Sequence, residues 1–262
     1  MAARQNLEKM YRAFEGVITP GLKYSQFLYE DVLNSHVNGR VDWLDVGCGH
    51  QILPPWRGYE ETRLVARCHK TVGIDADLES LKNHRSISTR VLGIISHLPF
   101  RDESFDLVTA NMVVEHLDVP ETQFREIARV LKPGGVFIFH TPNRKGYSTL
   151  IAKLIPEGAK KKIIRLVQAR KEEDVFKTFY RANSPEEIAR VAETTGFKVN
   201  KLKMIVSSAQ LAVVPPLVIF ELMWIRLLMT SRFKSLRTNI IGILQKRANS
   251  SLSDGMNESE TG

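Results

Sequence analysis

Residues 41–50 read VDWLDVGCGH: an apolar, β-prone run closes on an acid, Asp45, and turns on two glycines, Gly47 and Gly49. Glycine tolerates φ > 0 and has no Cβ to keep a ligand off the backbone, so this is a strand running into a loop built for close approach. The acid sorts the ligands. It repels a pyrophosphate and attracts the ammonium group of a methionine-like ligand. The dinucleotide fingerprint G-x-G-x-x-G fails as well, because its third place is Ile52.

Three further strand ends carry telling residues. Asp75 closes VGID, thirty residues after Asp45; a carboxylate only accepts, which suits two ribose hydroxyls. The competing reading of Asp75 is a cap on the following helix. Ile94-Ile95-Ser96 offers apolar flanks for a flat base. Asn111-Met112 follows FDLVTA, where the reactive end of a ligand would lie. Two histidines are candidate general bases because their ordinary pKa is near neutral: His116 in VVEHL, beside Glu115, and His140 at the end of FIFH. A loop-orienting hydrogen bond is an equal reading for His116. Cys48 reads as a space-filler, since a nucleophilic role needs a base that the sequence does not place. Asp106 and the Lys132-Pro133-Gly134-Gly135 run read as turn chemistry. No metal site is expected.

These residues need strands to position them, and the pattern supplies them. Strand candidates lie at 41–46, within 64–75, at 91–95, 105–110 and 136–140. Amphipathic helices fall between them, including 121–131 with Phe124, Ile127, Ala128 and Leu131 on one face. Alternating βα units imply a parallel sheet covered on both faces, with the ligand at the strands' carboxyl ends. Residues 5–36 read as helical with a break at Pro20-Gly21. After Asn143 come a basic helical stretch (147–171), a helix starting at Ser184-Pro185-Glu186-Glu187 and stopping at Gly196, a strand-like 197–206, an apolar run 211–229, a last strand 239–244 and a polar tail.

The chain has 262 residues, 43% hydrophobic and 25% charged, and a net charge of +8. The charge is uneven: 16 Lys/Arg against 18 Asp/Glu up to Asn143, then 21 against 11. The basic excess hints at an anionic partner, or is a solvated face. Two cysteines make no disulfide framework, and the acid-bearing start is no signal peptide, so a cytoplasmic location is expected. The 211–229 run has nearly the length to span a bilayer, but Pro215-Pro216, Glu221 and Arg226 make spanning costly. It reads as a core or dimer helix, or as one lying in a membrane interface, with Arg226, Arg232, Lys234 and Arg237 suited to an anionic surface.

Four motifs in order, VDWLDVGCGH, VGIDAD, LPFRDESFDLVTANMVVEHL and ARVLKPGGVFIFHTPN, resemble the class I S-adenosylmethionine-dependent methyltransferases over residues 38–143. The nearest group is the type 11, ubiquinone/menaquinone-biosynthesis kind. The resemblance implies an α/β, Rossmann-like, seven-stranded, mostly parallel sheet with helices on both faces and the last strand antiparallel. S-adenosyl-L-methionine is the implied cofactor, at Asp45, Gly47, Gly49, Asp75, Ile95, Ser96 and Asn111. Two places depart from the family's pattern: Gln51, where a small residue is usual, and Ile94-Ile95, where an acid often precedes the LPF turn.

The implied organisation is an N-terminal helical cap (1–36), a cofactor-binding core (37–146), a helical lid (147–183) in which Phe179, Tyr180 and Arg181 meet substrate or cap the site, and the rest of the core (184–247) with an apolar helical insertion at 211–235. The tail, 248–262, is expected to be disordered. The expected function is O- or C-methylation of a small, lipophilic acceptor, with peripheral membrane contact through 211–237. An RNA methyltransferase is the first competitor. It is disfavoured because no stacking aromatics interleave the basic run 160–171 and no Asn/Asp-Pro-Pro-aromatic loop follows the fourth strand. A non-catalytic membrane-surface adaptor of the same fold is the second.

Overall fold

The computed structural model describes residues 2–154, 177–209 and 215–248. Its strands are β1 (Asp42–Val46), β2 (Lys70–Asp75), β3 (Thr89–Leu92), β4 (Phe105–Asn111), β5 (Leu131–Pro142), β6 (Phe197–Ile205) and β7 (Asn239–Lys246). They form one sheet in the order β3-β2-β1-β4-β5-β7-β6. β1 to β5 pair in parallel, and β7 runs antiparallel to both β5 and β6. The described helices are α1 (Ala2–Ile18), α2 (Ser25–His36), α3 (Gly58–Ala66), α4 (Leu78–Lys82), α5 (Pro120–Val130), α6 (Tyr147–Leu154), α7 (Pro185–Thr194) and α8 (Pro215–Met229). This is the doubly covered, Rossmann-like sheet that the resemblance implies.

Period-two alternation sends successive side chains to opposite faces. Leu44, Val46, Val108, Ala110, Phe137 and Phe139 pack with Phe124 and Ile127 of α5 and with Ile188 and Val191 of α7. Trp43, Leu107, Ile138 and Ile241 pack with Tyr29 and Leu33 of α2 and with Leu64 of α3. Asp45, Thr109 and His140 therefore belong to the α2 face of the sheet, at the carboxyl ends of their strands.

Local signals account for most boundaries. Ser184 Oγ accepts from Glu187 N at 3.3 Å and Pro185 opens α7, as its N-cap sequence predicts. The Pro20-Gly21 break separates α1 from α2. The Lys132-to-Gly135 turn is absorbed into β5: Leu131 faces Phe105 and Val136 faces Leu107, so the extra residues bulge out of the ladder. Helix α3 is absent from the sequence reading, which takes apolar Leu64-Val65-Ala66 toward the second strand. Of the lid region, only 147–154 and 177–183 are described; the basic run 160–171, residues 210–214 and the tail lie outside the described residues.

Helix α8 packs Val218, Leu222, Ile225 and Leu228 in a satellite core with Val206 and with Tyr11 and Ile18 of α1. Glu221 is buried and accepts from Tyr147 Oη at 2.8 Å. Arg237 is not a surface cation. Its guanidinium donates to the carbonyls of Leu228, Met229 and Met204 at 2.8, 2.9 and 3.0 Å, satisfying the α8 C-terminus. No helix among the described residues is long and apolar enough to cross a membrane.

Candidate active site

The site is built from the carboxyl end of β1 outward. In the parallel register Asp45 stands opposite Thr109. Thr109 Oγ1 accepts from Trp43 Nε1 at 2.7 Å and donates to Asp45 Oδ1 at 2.5 Å, so the hydroxyl is used in both directions. Asp45 is 2% exposed and has no ion pair among the described residues. Burial lifts its carboxyl from the ordinary 3.8 to about 7; the Thr109 hydrogen bond pulls it back, and the charges of Glu61 and Asp75 add to the rise. Tyr29 lies on the same face. Its hydroxyl is buried beside Thr109, and burial, then the charge of Asp45, holds the phenol well above its usual range while Thr109 pulls it back.

The two loop glycines have different work. Gly47 and Gly49 both have positive φ, +63° and +54°. A Cβ on Gly47 would sit 2.5 Å from Val113 Cγ2, whereas a Cβ on Gly49 would meet nothing within 4 Å. Gly47 is therefore required by its own protein neighbour, and the open side of the loop is at Gly49. Asp75 fixes that loop: Oδ2 accepts from Gly49 N and Oδ1 from Asp77 N, both at 2.8 Å. Each carboxylate oxygen retains a second lone pair. The cap on the next helix is Asp77, not Asp75; its side chain accepts from Glu79 N and Ser80 N. Cys48 is buried against Gly73, and burial with the charges of Asp45 and Asp75 pushes its thiol up, so it is no nucleophile at neutral pH.

Gly93 N donates to Asp75 O at 2.9 Å, which draws the loop carrying Ile95 and Ser96 beside Asp75. Ile95 packs on the core and Ser96 is half-buried. At the end of β4, Asn111 lies opposite His140. Met112 follows with φ +59°, a conformation rare for a long side chain, and its N–H donates to His140 O at 2.8 Å.

His140, expected as a second candidate base, is enclosed and engaged at both ring nitrogens. It is buried, and burial pushes its imidazole down to about 4, so it stays neutral. Asn239 Nδ2 donates to Nε2 at 2.9 Å, which leaves the proton on Nδ1 to be donated to Asn111 Oδ1 at 2.9 Å. Asn111 Nδ2 in turn donates to Ile52 O at 3.1 Å and to Gln26 Oε1, on α2, at 3.3 Å. His140 thus holds Asn111 in one orientation.

His116 keeps both of its expected readings. Its Nδ1 donates to Lys177 O at 2.9 Å, since a carbonyl only accepts, and its Nε2 lies 4.0 Å from Glu115 Oε1. Glu115 is buried, and its backbone carbonyl receives the N–H groups of Phe179 and Tyr180 at 2.8 and 3.2 Å. A separate, largely charged cleft of about 780 Å³, lined by Asp118, Glu121, Arg144, Arg181, Glu187 and Arg190 with Phe179 and Tyr180, includes none of the strand-end residues.

Sequence reasoning missed Glu61, Tyr29, Thr109 and Gln26. Glu61 is fully buried and accepts from Ile52 N, Leu53 N, Arg85 and Ser86 Oγ, tying the end of the glycine loop to the segment after α4. Nothing in GYEETRLVA separates Glu61 from Glu60. Thr109 had a usable signal, because alternation along FDLVTA puts it on one face with Leu107.

The profile of a family described as a methyltransferase domain matches residues 44–139. The chain is 29% identical over 218 residues to the demethylmenaquinone methyltransferase of Corynebacterium kroppenstedtii, covering 75% of this chain and 90% of that one. It is 30% identical over 131 residues to the ubiquinone biosynthesis O-methyltransferase of Hydrogenovibrio crunogenus, covering 44% and 52%. The chain spans about half the length of most of the curated relatives it matches. The solved S-adenosylmethionine-dependent methyltransferase of Mesorhizobium loti superposes with a TM-score of 0.52 at 16% identity, covering 82% of this chain and 96% of that one, a likeness of fold alone.

Proposed function

We propose that this chain, whose residues 44–139 match a methyltransferase-domain profile, is an S-adenosylmethionine-dependent enzyme that methylates a small, lipophilic, quinone-type acceptor. One observation carries the reading. The open backbone at Gly49 is held by the Asp75 carboxylate, on a loop that leaves β1 just after Asp45, which is buried and lacks a cation among the described residues. That donor set fits the cofactor: the ammonium group toward Asp45, the two ribose hydroxyls on the remaining lone pairs of Asp75, and the adenine between the Ile95 and Ser96 flanks. When bound, S-adenosyl-L-methionine supplies an already activated methyl group. The protein's part is alignment and proton removal. Asn111, held by His140, orients the methionine end and closes α2 over it through Gln26. His116, anchored through Nδ1 on Lys177 O, is the residue assigned to removing the acceptor's proton, from oxygen or from carbon. Phe179 and Tyr180, held on the Glu115 carbonyl, are the residues assigned to meet the acceptor. Relatives named for ubiquinone and menaquinone chemistry support the quinone class. Such acceptors reside in lipid, so the chain works peripheral to a membrane.

Asp75→Ala is expected to weaken calorimetric binding of S-adenosylhomocysteine at least ~30-fold. Two hydrogen bonds to a charged acceptor are worth about 2 kcal/mol or more. Asp75→Asn, which retains one acceptor, should fall between the two. Unchanged affinity in Asp75→Ala would remove the ribose role. For the acceptor, labelled cofactor incubated with fractionated cell extract should place label in the lipid fraction; label confined to RNA would replace the quinone class with nucleic acid.

A further inference from the structure

Helix α8 carries only two charges, the buried Glu221 and Arg226 toward its end, and the satellite core uses only one side of its apolar remainder. Val218, Leu222, Ile225 and Leu228 are buried. Phe220, Met223 and Leu227 recur at steps of three and four on the opposite side, and the first two are 71% and 59% exposed. Neighbouring α1 adds a second stripe. Tyr11 and Ile18 face α8, while Met10, Phe14 and Val17 are exposed, Val17 by 80%. A contiguous open apolar face marks a contact surface.

The charges beside it choose the occupant. Arg226, Arg232 and Lys234 are exposed at the end of α8 and just beyond it, with no ion pair among the described residues. Between Phe197 and Arg247 the sequence holds nine Lys/Arg and one acid, Glu221, and that acid is buried on Tyr147. A second copy of the chain would bring the same cations to this face and no exposed acid from α8. A bilayer with anionic headgroups brings both the apolar layer and the negative charge. Fifteen residues of α8 reach about 22 Å, against a hydrocarbon core of about 30 Å, so the helix lies along the surface and does not cross it.

We infer that the outer face of α8, with the α1 stripe beside it, docks the chain on an anionic lipid surface. This rests on the lipophilic-acceptor reading for its purpose and on the surface alone for its chemistry. The test is co-flotation of the full chain with phosphatidylcholine vesicles, with and without phosphatidylglycerol. Wild type should float with the anionic vesicles and at least about tenfold less with neutral ones or in about 0.5 M NaCl. F220S/M223S and R232E/K234E should each cut flotation at least about tenfold, with S-adenosylhomocysteine affinity unchanged. Wild type that stays unbound, or variants that float as well as wild type, overturns the inference. So does a dimer in sedimentation equilibrium that F220S/M223S converts to monomer while no species floats. Full flotation of a protein that binds no S-adenosylhomocysteine sustains the lipid surface and defeats the methyltransferase reading.

Discussion

Asp45→Asn should raise the melting temperature of the unliganded protein at pH 8 while removing its affinity for S-adenosylhomocysteine. The folded-state carboxyl sits at about 7, against 3.8 ordinarily. Between those two values the folded protein keeps a proton that the unfolded chain has released. Stability therefore falls as pH rises through this window, and the full cost of the buried charge is present above pH 7. The nominal shift corresponds to a few kcal/mol; after relaxation around the site we expect a gain of about 2 kcal/mol for the asparagine, or roughly 5 °C. The gain should vanish as pH approaches 4. Differential scanning fluorimetry at pH 8 and pH 4.5 checks the sign. A melting point lowered equally at both would make Asp45 a structural anchor for Thr109. Wild-type affinity for the ligand should climb as pH rises through about 7, while the variant shows no binding at any pH in that range.

The second large effect separates the two loop glycines. Both have positive φ, so alanine strains either position by about 1 kcal/mol. Gly47→Ala also drives a methyl group to 2.5 Å from Val113 Cγ2, and its total loss of stability is expected at about 3 kcal/mol. Gly49→Ala meets no protein atom within 4 Å and should lose only the strain. Its methyl group instead fills the space assigned to the cofactor, and affinity for S-adenosylhomocysteine should drop about 100-fold, roughly 3 kcal/mol. The ranking by melting temperature should thus be the reverse of the ranking by calorimetry. Gly49→Ala with normal affinity would show that the open space belongs to no ligand.

What could be read in the chain was local. β1, β4 and β5 announce themselves by apolar runs ending in turn chemistry, and the acid–glycine loop and Asp75 are each contained within a few residues. What escaped depends on long-range pairing. His140 looks like a strand-end base until β7 is known to place Asn239 against its Nε2 and burial is known to keep it neutral. Arg237 looks like a surface cation until α8 is seen to end on it. Tyr29, on α2, belongs to the site only because the helix lies over Asp45 and Thr109. Helix α3 was lost because its apolar end resembles the start of a strand, although its chief task is to deliver one carboxylate, Glu61, to the glycine loop.

The strand order bears on how the chain emerges from the ribosome. β7 is the last described strand, yet it fills an interior place, pairing its residues 239–245 with 142–136 of β5 and its other edge with β6. While translation proceeds, β5 and β6 leave the exit tunnel with facing edges unpaired, their N–H and C=O groups open to any passing strand. Lys198, Lys201 and Lys203 punctuate β6 and discourage such mispairing. A nascent polypeptide stalled before residue 239 carries every cofactor-facing residue named above and still lacks a closed sheet, which makes it a natural client for chaperones.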